Sequence, residues 1–389
     1  MSNAPHSELP DSTPVSPLPY AHSVRAAEVP QAVTCQISEG VPTSASTPEP
    51  IPSRQIGNYM EDILAAAREE AITASQITRT GDLNIQEENL PDCPIAPKEL
   101  PDGTLLHGYR VQRCIGGGGF GVTYLAQESL LNRTVVIKEN FPHSLCYREE
   151  GTLDVCMHSP ETGQEGFDWA LSNFLREVRL LATLNHPCIA KVYAYFEEHR
   201  TAYYVVEYIN GISLAKLASQ QAENGSPISQ SSLFGLMVRL LDALDYLHSR
   251  KLLHRDIKPD NILITRAGLP VIIDFGAARE AYGDLGTNIV ETPGFSPPEQ
   301  GSTNGNMGPW TDIYALGATL YYTLTGECLP PSRRREIYDT ADPLSTNPAL
   351  LALYGQPLLA SIDRAIAPKA ENRYQCVADW MHDLAATHL

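Results

Sequence analysis

The chain has 389 residues and 43% hydrophobic content, enough to bury one large core or two smaller ones. Its formal net charge of −18 argues against a surface built to neutralise nucleic-acid phosphates or to hold anionic lipid, so no nucleic-acid partner is expected. The eight cysteines are scattered without a C-x-x-C pair, which suits neither a zinc site nor a small disulfide scaffold and points to reduced thiols in a cytoplasmic protein.

Residues 1 to about 57 are rich in Pro, Ser, Thr and Ala and poor in aromatics, a composition that cannot bury enough apolar surface to offset chain entropy. Residues 1–100 carry 14 acidic against 5 basic side chains and read as a disordered, solvated tail. Its opening, "MSNAPHSELPDSTP", has no basic n-region and no apolar h-region, and no later stretch reaches the uncharged length of a membrane helix, so no membrane segment is expected. Within the tail, Asn58 and Glu61 stand at capping-box spacing, and Tyr59, Ile63, Ala67 and Met60, Leu64, Ala71 recur at helical intervals, predicting one amphipathic helix over 58–77. That helix either docks on the folded domain or serves as a regulatory or partner-binding element.

From Leu105 the pattern changes. The runs "YRVQRCIG", "GVTYLAQES", "RTVVIKEN", "IAKVYAYFEE" and "AYYVVEYI" read as five antiparallel strands, with "FDWALSNFLREVRLLATL" between the third and fourth showing helical spacing. After Gly211 the chain turns helical, in "SSLFGLMVRLLDALDYLHSR", "TDIYALGATLYYTLTG" and "LLASIDRAIA". The fold class is therefore α+β, with a small β lobe over about 105–210 and a larger α lobe over about 211–389. The connection over 139–170 is long, and connections of this length are usually functional or mobile. The closing "WMHDLAATHL" ends just past the last helix, with no sensor domain or anchor expected beyond it.

The motifs carry the chemistry. "IGGGGFGVTY" lies between two strands, the wrong context for a dinucleotide-binding turn, and its glycines remove side chains where a hairpin would lie over a polyphosphate. Lys138 closes the β-branched run of the next strand, where an ammonium needs an anion, either a nucleotide phosphate or a carboxylate such as Glu177. "LLHRDIKPDNILI" then packs a histidine, an arginine, two aspartates, a lysine and an asparagine between aliphatic flanks. Burying such groups unpaired costs several kcal/mol, so a reaction or ligand is expected there, roughly as perturbed groups cluster at functional sites.

Taken together and in order, the glycine loop, Lys138, Glu177, "HPCIAKVY", "HRDIKPDN", "DFG" at 274–276, "PPE" at 297–299, "TDIYALG" and Arg373 resemble the bacterial, eukaryotic-like serine/threonine protein kinases, from Tyr109 to the C-terminus. The resemblance implies ATP and Mg²⁺ as cofactors, with Mn²⁺ an alternative, and transfer of the γ-phosphate to Ser or Thr hydroxyls of protein substrates, with autophosphorylation. It assigns the catalytic positions to Asp256, Lys258 and Lys138: Asp256 accepts the hydroxyl proton, Lys258 faces the γ-phosphate, and Lys138 pairs with Glu177 over the α- and β-phosphates. Asn261 and Asp274 would hold the metal. Ile115, Gly116, Gly117, Gly118, Gly119, Phe120, Gly121, Thr123, Val136, Val206, Glu207, Tyr208 and Leu263 would surround the nucleotide, Glu207 and Tyr208 as the hinge and Leu263 under the adenine.

Further carry-over assigns Arg255 and His254 to bracing the loop, Asp312 to holding its backbone, Glu299 to pairing with Arg373, and Thr292 to the peptide ledge. Thr287, the only Ser or Thr between Gly276 and Thr292, is the expected phosphosite, answering Arg255 and Arg279; Asp284 or Glu291 would be the alternative counter-charge. The chain departs from the family in Thr123 for Val, Val136 for Ala and "PPE" for "APE". Two rival readings are a pseudokinase scaffold, disfavoured because Lys138, Asp256, Asn261 and Asp274 are all present, and a small-molecule phosphotransferase, disfavoured by "TPGFSPPE".

Overall fold

The computed structural model describes residues 99–386, apart from 120, 149–150, 160–162, 276–278, 281–290 and 303–304. The tail helix expected over 58–77 and the phosphosite Thr287 lie outside the described residues.

Alternation of side chains builds the first lobe. Strands β1 (Leu105–Leu106), β2 (Tyr109–Gly118), β3 (Gly121–Glu128) and β4 (Arg133–Asn140) run antiparallel in sequence order. After a hairpin of β5 (Cys146–Arg148) and β6 (Val155–Met157), helix α1 (Gly163–Leu181) leads to β7 (Val192–Glu198) and β8 (Thr201–Glu207), which complete a six-stranded sheet in the order β1-β2-β3-β4-β8-β7. Five strands were expected; the sixth, β1, is two leucines, too short to show a period of two. Directly opposed residues share a face, so the registers sort the sheet. Val122, Tyr124, Ala126, Val135, Ile137, Glu139, Tyr203 and Val205 lie on one side, all buried, and Thr123, Leu125, Val136, Lys138, Tyr204 and Val206 on the other.

The long 139–170 connection accounts for the first of these faces. Phe141, Cys146 and Val155 from the connection and Phe167 from α1 form one core with it, joined by Leu100 and Leu106. Burial of each large side chain contributes roughly 1.5–3 kcal/mol, so this connection is part of the lobe's framework. Leu100, placed in the tail by composition, is 2% exposed, and its backbone N–H donates to the Tyr124 hydroxyl at 3.1 Å. Folded structure therefore begins ahead of Leu105.

Helical periodicity builds the second lobe. After β9 (Gly211–Ser213), α2 (Leu214–Glu223) starts on Ser213, whose side chain accepts from the Lys216 N–H, and α3 (Gln230–Ser249) starts on Ser229, which accepts from the Ser232 N–H. Strands β10 (Leu252–Leu253), β11 (Ile262–Thr265), β12 (Pro270–Ile272) and β13 (Arg279–Glu280) follow, then α4 (Pro309–Thr325), buried continuously from Thr311 to Tyr321. The short helices α5 (Ser332–Ile337) and α6 (Pro348–Leu351) precede α7 (Gln356–Ala365) and α8 (Val377–Ala386), which pack with α3 and α4 in one core. Among the described residues no helix is long and apolar enough to cross a membrane.

The lobes meet through backbone as well as side chains. Ile272 of β12 donates its N–H to Cys188 O at 2.8 Å and accepts from Ala190 N at 3.0 Å, tying the α1–β7 link to the strand that leads to Asp274.

Candidate active site

The segment between β10 and β11 answers why polar groups sit among aliphatic ones. Leu252, Ile257 and Ile262 are buried in the second lobe's core and anchor the segment at both ends, and Leu253 is buried beside them in sequence. Between them Asp312, fully buried on α4, accepts from the His254 N–H at 2.9 Å and the Arg255 N–H at 2.8 Å, and takes the His248 ring nitrogen at 2.9 Å. Arg255 adopts φ 66°, a left-handed conformation unfavourable for a side chain of its size, and Asp312 pins it there. The backbone role expected for Asp312 is thus present in the geometry.

Burial pushes the Asp312 carboxyl up, but the hydrogen bond and charge of His248 and the Arg255 N–H outweigh it and hold the group below the usual range. Burial pushes His254 down, against the pull of Asp312, Asp256 and Asp274, so the imidazole, packed at a tilt with its ring centroid 4.5 Å from that of Phe275, stays neutral in the fold. A depressed histidine stabilises the fold above the unfolded-state pKa of about 6.5, and that contribution is lost as pH falls below it. Thermal midpoints should therefore decline as the medium is acidified through about pH 6.5, and His254→Gln should remove part of the slope; an unchanged slope would contradict this.

Asp256 is the point of convergence. Lys258 donates to its carboxylate at 2.8 and 3.1 Å, the Asn261 amide at 2.9 Å, and the Thr292 hydroxyl at 2.7 Å. Asn261 sits on the 3₁₀ turn Pro259–Asn261 and donates also to the Asp256 carbonyl at 2.9 Å. Both bonds use its amide nitrogen, which turns the carbonyl oxygen to the opposite side as a hard donor.

Across the cleft, Lys138 donates to Asp274 at 2.5 Å. The pairing of Lys138 with Glu177 expected from the sequence is not the one found, and the sheet register explains why. Tyr204 stands directly opposite Lys138 on β8, on the same face, and its hydroxyl donates to Glu177 at 3.2 Å. Glu177 borders an apolar pocket lined by Leu180, Leu181, Leu184, Leu247 and Phe275 and takes the buried hydroxyl there; Lys138 reaches the more exposed Asp274 instead. Burial, with Glu177 and Asp274 nearby, raises the Tyr204 hydroxyl pKa well above its ordinary value, so it remains a donor.

Several of the remaining expected positions share the sheet face of Lys138. Val136 and Val206 are cross-strand partners and Thr123 is the partner of Lys138, giving an apolar wall beside the lysine. Gly116 lies opposite Thr123, and Gly117, Gly118 and Gly119 are exposed at the tip of the β2–β3 turn, with Ile115 half-buried before them. Gly121 is obligatory: a Cβ there would collide with the Glu139 carbonyl. Glu207 ends β8 with its N–H on the Lys191 carbonyl at 2.8 Å, and Tyr208 follows it. Leu263, half-buried on β11, pairs with Ser213. Phe120 lies outside the described residues. At the ledge, Glu299 receives two bonds from Arg373, at 2.8 and 3.2 Å, plus the Thr311 hydroxyl at 3.1 Å, the pairing expected. Glu291, an alternative counter-charge, lies 3.7 Å from Arg333.

Sequence reasoning missed Tyr204, His248 and Gln300. The alternation in "AYYVVEY" puts Tyr204 and Val206 on one face, but only the strand register shows that this is the face of Lys138. Nothing local signals the other two, whose partners Asp312 and Arg255 are 64 and 45 residues away in the chain.

A β lobe and an α lobe joined around a lysine, a carboxylate loop and a glycine-rich hairpin make the two-lobed arrangement of the protein kinase fold. Residues 109–347 match the protein kinase domain family, and the chain belongs to that family, on its bacterial serine/threonine side. Serine/threonine-protein kinase PknA of Nostoc sp. is 32% identical over 293 residues, covering 71% of this chain and 46% of that protein. Serine/threonine-protein kinase D of Synechocystis sp. is 36% identical over 234 residues, covering 57% and 41% respectively. The chain therefore spans about half or less of the length of these relatives. Among solved structures, the apo form of PpkA-294 is 39% identical with a TM-score of 0.65, covering 74% of this chain and 99% of that one. The family uses ATP and a divalent metal.

Proposed function

We propose that this protein transfers the γ-phosphate of ATP to serine and threonine hydroxyls of other proteins, and to itself. The observation that carries the reading is the convergence of Lys258, Asn261 and Thr292 on the Asp256 carboxylate. A carboxylate held by three donors has a fixed direction, which is what orienting a substrate hydroxyl and receiving its proton require. Thr292, on the ledge beside Asp256, suits an aliphatic hydroxyl reaching in from the peptide side. Lys258, adjoining the carboxylate, is placed to offset charge on the phosphoryl oxygens, and Lys138 to align the phosphates.

The residues fit a magnesium ion. Asp274 and the Asn261 carbonyl are hard oxygen donors, and Mg²⁺ favours one or two such ligands with substrate phosphates completing its shell. When bound, the ion supplies neutralisation of phosphate charge. Val136, Val206, Leu263 and the Glu207–Tyr208 link are proposed to receive the adenine. The thiols of Cys188 and Cys328, in no disulfide, suit a reducing, cytosolic setting. Thr287 is proposed as the activating phosphosite.

The test is to incubate the purified chain with labelled ATP, Mg²⁺ and a proteome extract, with an EDTA control, and to map phosphosites. Label on serine and threonine, lost with EDTA, is expected. Label dominated by phosphotyrosine would overturn the acceptor class, and none at all with Mg²⁺ or Mn²⁺ would favour a scaffold.

A further inference from the structure

Gln300 follows Glu299 on the turn Pro298–Gly301 and is 2% exposed. Its amide Nε2 donates to the backbone carbonyl of Arg255 at 2.6 Å. That carbonyl belongs to the peptide plane joining Arg255 to Asp256. Arg255, at the start of that plane, is strained at φ 66°; Asp312 takes the Arg255 N–H of the preceding plane at 2.8 Å, and the plane's own N–H, on Asp256, donates to His254 Nδ1 at 3.3 Å. Asp312 sets where the loop begins to turn; Gln300 sets which way the carbonyl points, and with it the direction in which the Asp256 side chain leaves the backbone. The ledge is itself anchored by Glu299 on Arg373 and Thr311, so the amide reaches Arg255 from a rigid base.

We infer that Gln300 is a positioning residue for phosphoryl transfer, fixing the Arg255–Asp256 peptide plane and so coupling the peptide ledge to the acceptor carboxylate. The ledge then holds Asp256 at two points, the Thr292 hydroxyl on the side chain at 2.7 Å and Gln300 on the preceding carbonyl. Loss of Gln300 lets the plane rotate toward a less strained conformation. Misplacement of a reacting group on the order of 1 Å costs up to roughly a hundredfold in rate, while nucleotide binding, centred on the other lobe, is untouched.

The inference rests on Asp256 acting as proposed above, and the test separates the two. Gln300→Met keeps the length and removes the donor. Gln300→Glu keeps the shape and donates only when protonated, since a carboxylate facing a carbonyl cannot bond it; burial raises the pKa of such a glutamate, so acidification restores the donor. Full-length wild type, both variants and Asp256→Asn are assayed on dephosphorylated casein from about pH 5.5 to about pH 8.5, a window covering the raised glutamate. At the alkaline end both Gln300 variants are expected to lose roughly 10- to 100-fold in kcat with KM for ATP within about twofold of wild type. Toward the acid end the ratio of Gln300→Glu to wild type should climb and that of Gln300→Met should not. A kcat within about twofold of wild type for both variants, or a flat Gln300→Glu ratio, overturns the inference. So does failure of both variants to fold, because the role assigned is exerted in a folded domain. If Gln300→Met alone unfolds, the Gln300→Glu profile decides. Turnover by Asp256→Asn would bring down the base assignment instead, whatever the Gln300 variants do.

Discussion

Asp256→Asn is expected to lower kcat by roughly 10²- to 10⁴-fold, the contribution of a positioned general base, while leaving ATP affinity close to wild type. The surroundings of Asp256 make the change clean. The carboxylate oxygen that accepts Lys258 at 2.8 Å and Asn261 at 2.9 Å must stay an oxygen, because both partners are donors. The new amide NH₂ therefore takes the other position, where Thr292 donates now at 2.7 Å and can rotate to accept instead, while Lys258 gives up its longer contact there at 3.1 Å and keeps the one to the retained oxygen. The loop backbone, held from outside by Asp312 and Gln300, has no cause to move. What disappears is the acceptor of the substrate proton. Kinetics on a protein substrate, paired with binding of a fluorescent ATP analogue, check the outcome; turnover within about tenfold of wild type would show that Asp256 orients without accepting.

The parts of this site that were legible in the sequence are those whose chemistry is local. The glycine loop, Lys138 at the end of a β-branched run and the 254–261 segment each declare themselves within a few residues. Tertiary partners did not. The switch of Lys138 from Glu177 to Asp274 depends on Tyr204 standing across the sheet, a fact of register rather than of pattern. Single-residue alternation gives a strand its two faces but not the neighbour against which either is laid. Glu299 and Arg373 could be paired in advance only because the resemblance placed both; Gln300 and Arg255 had no such guide. Helices α3, α4 and α7 followed their periodicity, since each buries a run of apolar residues, whereas α5, whose buried residue is Arg335, has no such stripe to read.

The connection at 139–170 was the least legible stretch, and the reason is physical. Strands of three residues cannot show a period, and a hairpin rich in charge reads as a surface loop. One of those charges is internal. Arg148 reaches under the sheet to pair with Glu139, and Glu139 also accepts the hydroxyls of Tyr124 and Tyr203, each at 2.7 Å. Arg148 donates in addition to the Leu153 carbonyl at 2.9 Å, and Tyr124 accepts from Leu100. Glu139 thus fastens β3, β8, the hairpin and the start of the folded lobe to one carboxylate, one residue after Lys138.

Glu139→Ala should therefore be far more damaging than its distance from the chemistry suggests. Glu139 is 1% exposed and Arg148 7%, so the substitution strands a buried guanidinium and two buried hydroxyls. Removing one partner of a buried pair costs about 3–5 kcal/mol, because the remaining charge keeps its desolvation penalty without compensation. At roughly 2–4 °C per kcal/mol for a domain of this size, the thermal midpoint should drop by about 6–20 °C. The companion experiment distinguishes a bad vacancy from a good pair: Glu139→Leu combined with Arg148→Met removes both charges, and replacing a buried ion pair by packed apolar groups is often close to neutral. The double variant should recover most of the loss in midpoint, short of the two tyrosine hydrogen bonds, whose net contribution is about 1 kcal/mol each. Recovery of stability with wild-type kcat would assign the pair to framework alone. A Glu139→Ala midpoint within about 1 °C of wild type would mean that the hairpin does not hold the sheet, since a shift that small corresponds to well under 1 kcal/mol.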